Sequence, residues 1–81
     1  MSKATLIKPV GAGFAYSDHE LVIKLSIRPA REGWYFEVRT GTRGGTLADE
    51  TPVTVENEAA AISMLENRIA REVLNGYRRA A

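Results

Sequence analysis

The stretch ELVIKLSIRPAREGWYFEVRTG, Glu20 to Gly41, decides the fold of this chain. Within it Leu21, Ile23, Leu25 and Ile27 alternate with Glu20, Lys24, Ser26 and Arg28, with Val22 on the polar side. Apolar residues at every second position predict a strand with one buried face. Pro29 has no backbone N–H to continue a ladder, so the strand stops there. Pro29 to Gly33 reads as a five-residue hairpin loop. A second strand follows, with Trp34, Phe36 and Val38 on one face and Tyr35, Glu37 and Arg39 on the other. Gly41 to Gly45 supplies the next turn, because glycine tolerates positive φ without a Cβ clash.

Downstream of the hairpin, a third strand is expected between Thr46 and Val55, its better-formed end at Pro52 to Val55. Thr46-Leu47-Ala48 would pair first, with a bulge or loop at Asp49-Glu50. Upstream, Thr5 to Val10 has the makings of a short strand in the segment 1–18, with Pro9 restricting it to an edge or falling among its last residues. Gly11-Ala12-Gly13 reads as a turn, Phe14-Ala15-Tyr16 as a very short alternation, and Ser17-Asp18-His19 as a polar turn.

The C-terminal third changes period. A helix is predicted from about Asn57 to Asn75, with Asn57 as N-cap and Glu56 and Glu58 at the positive end of its dipole. Ile62, Leu65, Ile69 and Val73 form its apolar stripe. Asn75-Gly76 gives a natural stop. Glu66 falls beside the stripe and Met64 and Leu74 off it, while Tyr77 to Ala81 reads as a short basic tail or a frayed turn.

These elements predict an α+β fold: one domain over 1–81, ordered β-β-β-α, with a three- or four-stranded antiparallel meander and one C-terminal helix on one face. At 81 residues one domain is expected, with no room in this length for a second. A chain this small buries only about 60–65% of its unfolded surface, and with no cysteine it gains nothing from disulfides or thiolate metal sites. The apolar run after Lys3 is broken at Lys8 and Pro9, too early for a signal peptide, so a soluble cytoplasmic protein is expected.

The chemistry-bearing residues point away from catalysis. Ser17-Asp18-His19 has the membership of a hydrolase triad, but triad groups must converge from separate positions. His19 is the single histidine, which excludes a multi-histidine metal site within one chain. Gly11-Ala12-Gly13 precedes no predicted helix and is not a phosphate loop. No enzyme, no cofactor, no metal and no small-molecule ligand are expected.

Binding is a better prospect. One helix covers one sheet face, so the other face should present Lys24, Arg28, Tyr35 and Arg39, with Arg43 at the turn beyond. A second basic ridge is expected on the outside of the helix at Arg68, Arg71 and Arg78. Charge is unevenly spread: seven basic and four acidic residues up to Leu47, five acids and no base over 48–66, then four arginines and one glutamate. The expected role is a binding or regulatory module acting through the open sheet face, on a protein partner or a second copy of itself. A nucleic acid on Lys24, Arg28, Arg39 and Arg43 is the alternative, and inhibition of a larger host complex a third.

Trp34 to Arg39, the glycine-rich turn, and VTVENEA from Val53 to Ala59 resemble the sheet-plus-helix DNA-binding domains of phage integrases (arm-binding) and plant AP2-type proteins. Of the integrase-type pattern F-x-T-x-x-E-A, Glu58 and Ala59 match, while Val53 replaces the aromatic residue and Val55 the threonine. The resemblance implies a sheet that enters the major groove with the helix behind it. It is a likeness of layout, which does not by itself carry function.

Overall fold

A computed structural model of the chain describes residues 3–9 and 20–80. The elements are β1 (Lys3–Pro9), β2 (Glu20–Pro29), β3 (Trp34–Thr42), β4 (Ala48–Asp49), β5 (Val53–Val55), α1 (Glu58–Leu74) and β6 (Arg78–Arg79). They form one antiparallel sheet in the order β4-β3-β2-β1-β6, with β5 also paired to β3. The readings at Gly11–Gly13, Phe14–Tyr16 and Ser17–His19 lie outside the described residues.

The register explains the two faces. Leu25 stands between Ala4 and Val38, Ile23 between Leu6 and Thr40, and Ile27 beside Phe36. These residues make the core, with Leu6 and Leu25 almost wholly shielded from solvent. On the other face Lys24 stands between Thr5 and Arg39, and Val22 between Ile7 and Gly41. Alternation along β2 and β3 therefore sorts side chains as the hydrophobic pattern requires.

Among the described residues the sheet has six strands rather than three or four. The third strand is split: β4 pairs with Arg39 and Thr40, β5 with Trp34 to Phe36, and Glu50 bridges the gap by donating its N–H to the Val38 carbonyl at 2.9 Å. Pro52, which lacks a donor, sits at the break. The tail is also a strand. Arg78 and Arg79 pair with Ile7 and Leu6, and the Ala80 N–H reaches the Thr5 carbonyl. Backbone donors and acceptors on β1 that would otherwise be an open edge are satisfied there.

α1 begins as expected, with the Asn57 side chain accepting from the Ala60 N–H at 2.9 Å. It ends in a Schellman arrangement. Tyr77 N–H reaches the Glu72 carbonyl and Gly76 N–H the Val73 carbonyl, with Gly76 at φ +98°. Lys8 Nζ donates to the Asn75 carbonyl at 2.7 Å and lies 5.7 Å from the centre of the Tyr77 ring.

The rotation of α1 differs from the predicted stripe. Its buried residues are Ala61, Leu65 and Glu72, while Ile62 and Val73 are exposed and Ile69 is half-buried. At 3.6 residues per turn this is a turn of roughly 60–70° about the helix axis. With this rotation Arg68 and Glu72 face inward and pair with each other, and Arg68 also with Glu50. Met64 packs against the core, whereas Glu66 and Leu74 are exposed.

Candidate protein-binding face

α1 touches β2, β3 and β5 and covers one face of the sheet. The opposite face carries the cations Lys3, Lys24, Arg28, Arg39, Arg43 and Arg78 against the acids Glu20, Glu37 and Asp49. Among the described residues this face thus holds an excess of three positive charges, although the whole chain carries only +1.

Each acid on the face is already engaged. Arg28 Nε lies 2.6 Å from Glu37 Oε1, Arg39 Nε 2.8 Å from Asp49 Oδ1, and Arg43 Nη1 2.6 Å from Glu20 Oε1. The strands dictate these pairs: Arg39 and Asp49 are direct cross-strand neighbours, and Arg43 bonds through its backbone N–H to Glu20. Lys3 and Lys24 form no ion pair among the described residues. They are one strand apart on the same face, at the Thr5 and Ser26 positions of the β1–β2 ladder.

Tyr35 is half-buried, with the Arg28 guanidinium 4.5 Å from its ring centre. That contact and the Glu37 pair hold Arg28 flat along the face. The sequence brings Lys24, Arg28, Tyr35, Arg39 and Arg43 onto one surface, but three of the four cations are neutralised by near neighbours.

Leu47 was not singled out in the sequence, yet it belongs to this face. A Cβ on Gly41 would lie 2.8 Å from the Leu47 Cδ2 and 2.8 Å from the Thr46 carbonyl oxygen. Glycine at position 41 therefore lets the Thr46–Leu47 segment lie against β3. Leu47 and Ile7 border a shallow cavity of about 350 Å³ on whose floor Val22 is buried. The sequence signal was Val22 itself, the one apolar residue on the polar side of β2.

The second basic ridge does not exist as a ridge. Arg68 is turned inward, its side chain 15% exposed, where it meets both Glu50 oxygens at 3.2 and 3.0 Å and Glu72 at 2.8 Å. Arg78 belongs to β6 on the far side of the sheet. Arg71 alone stays exposed on the helix, 3.7 Å from Glu72. The reason is charge: Glu72, with a side chain 9% exposed, needs a cation beneath the helix, and Arg68 is one turn away.

The cluster shifts its members' protonation. A hydrogen bond from the Asn75 amide at 3.0 Å, then the hydrogen bond and charge of Arg68, hold the Glu72 carboxyl below the usual carboxylate range, against the opposing effect of burial. Arg68 is raised, first by its hydrogen bonds to Glu50. Burial and then the charge on Glu72 push the Tyr77 hydroxyl up.

No helix among the described residues is long and apolar enough to cross a membrane, and no group of three or more metal-binding side chains occurs among them. Compared with known proteins, the chain matches no family model, no curated protein and no solved structure.

Proposed function

We propose that this protein is a small non-enzymatic binding module that holds an acidic segment of a protein partner on its open sheet face. The observation that carries the proposal is the charge balance of that face: among the described residues, six cations against three committed acids, with Lys3, Lys24 and Arg78 left over. Exposed ion pairs such as Arg28–Glu37 are weak and screened by salt, so an incoming carboxylate competes for these arginines as well.

The same charge argues against a second copy docked face to face, since two positive surfaces repel. Edge-to-edge pairing is equally disfavoured. β4 and β6 are two residues long and β5 three, and short edges give a further strand little to pair with. A protein partner with complementary charge fits better than self-association. A nucleic acid is the second reading, supported by the same positive excess.

Capture from a host extract separates the two. The wild-type protein retains its partner after nuclease treatment, releases it as salt is raised, and loses it when Lys3→Glu and Lys24→Glu are combined. Loss of the captured material to nuclease favours the nucleic-acid reading. Undiminished capture by the double variant overturns the role of this face.

A further inference from the structure

We infer that the cavity between Ile7, Val22 and Leu47 is a specificity pocket that takes an aromatic or large aliphatic side chain from the partner's acidic segment. The inference rests on the functional reading above and adds what that reading lacks, a means of choosing one acidic segment over another.

Three observations support it. First, the floor is apolar on a face that is otherwise charged. Ile7 and Leu47 line it and are half-buried, leaving apolar surface to meet a ligand, and Val22, 6% exposed, lines it as well although its alternation places it away from the helix. Second, the cavity is about 350 Å³, at the low end of ligand pockets and roomy enough for one ring. Third, its rim is cationic. Lys24 and Arg43 line it, Lys24 with no ion pair among the described residues and Arg43 held by Glu20. Apolar floor and cationic rim together select a segment in which a bulky apolar residue is flanked by carboxylates. Anchor residues seated in pockets and ringed by charge are how small interfaces gain affinity.

Gly45 fixes one wall. Its backbone N–H bonds the Thr42 carbonyl at 3.0 Å, and a Cβ there would stand 2.6 Å from the Thr42 hydroxyl oxygen. The turn that forms this wall is thus held close against the end of β3.

The test uses three synthetic peptides and the full chain labelled with nitrogen-15. The probe is acetyl-Asp-Glu-Phe-Asp-Glu-amide; one control replaces phenylalanine by alanine, the other replaces every acid by its amide. The probe at millimolar concentration should shift the backbone amides of Val22, Lys24, Gly45 and Leu47 saturably. Both controls should bind about tenfold more weakly, since each removes one of the two recognised groups. Lys24→Glu should weaken the probe by a similar factor. Leu47→Ala should weaken the phenylalanine peptide while leaving the alanine peptide unchanged, a difference that loss of folding would not produce.

Absence of saturable shifts at these four amides overturns the inference, as does equal binding of the phenylalanine and alanine peptides. The two claims fail separately. If the peptides bind equally but extract capture still depends on Lys3 and Lys24, the pocket is discarded and the face remains. If the pocket discriminates but capture ignores both lysines, the functional reading falls and the pocket stands.

Discussion

At the scale of single residues, Arg68 and Glu72 decide how the helix lies. Both sit on the face of α1 that apolar side chains would normally fill, and both are satisfied, with Glu50 and Asn75 completing the set. Among the described residues no buried side-chain polar atom lacks a partner. Removing one member leaves a poorly hydrated charge behind, which costs more than the pair contributes. Arg68→Ala should therefore destabilise the fold by about 2 kcal/mol, lowering the melting temperature by roughly 10 °C. Glu72→Gln, which keeps the shape, should cost about 1 kcal/mol. The pH dependence has a definite sign. The folded-state pKa of Glu72 is depressed, so its contribution is fully present above the ordinary carboxylate value. It is lost as pH falls through the folded value. Melting temperatures followed downward from about pH 5 should fall more steeply for wild type than for Glu72→Gln. Parallel profiles would show that Glu72 is not held in its charged form.

At the scale of elements, the β2–β3 hairpin was legible because its alternation is long and clean. Of the seven strong hydrophobes that alternate on one side from Leu21 to Val38, Ile23, Leu25, Ile27, Phe36 and Val38 are buried in the core, while Leu21 and Trp34 are half-buried. The helix was legible in extent and in its caps, but not in its rotation. Ile62, Leu65, Ile69 and Val73 make a good stripe by hydropathy alone, and the sequence gives no sign that Glu72 and Arg68 prefer each other to water. That preference depends on Glu50, which lies 18 positions from Arg68. β6 was missed for a similar reason. Two arginines in a tail look solvated, and only the Schellman turn at Gly76 aims them at β1. Gly33 shows the local constraint at the hairpin. Its φ is +93°, and a Cβ there would collide with the Val55 carbonyl oxygen. Gly33→Ala should destabilise the protein by more than about 1 kcal/mol, with hydrogen exchange rising first in Val53–Val55. Unchanged protection at β5 would mean that the approach of Val55 to this turn is not a real constraint.

At the scale of the whole molecule, one helix divides the sheet into a covered face and a charged face. The covered side holds the apolar core and α1, while the other holds, among the described residues, six cations and a small cavity with apolar residues in its lining. Which residues share the charged face was readable from β2 and β3 by alternation. How far that face is neutralised was not, because Asp49 and Glu20 reach their arginines only through the β3–β4 register and the turn at Arg43. The proposed contact therefore lies on the charged sheet face and not on the outside of the helix. The direct measurement compares partner capture by two single charge reversals at exposed positions, Lys24→Glu on the sheet and Arg71→Glu on the helix, each checked for unchanged melting temperature. Loss of capture with Lys24→Glu and retention with Arg71→Glu is the predicted result; retention with Lys24→Glu and loss with Arg71→Glu would contradict it.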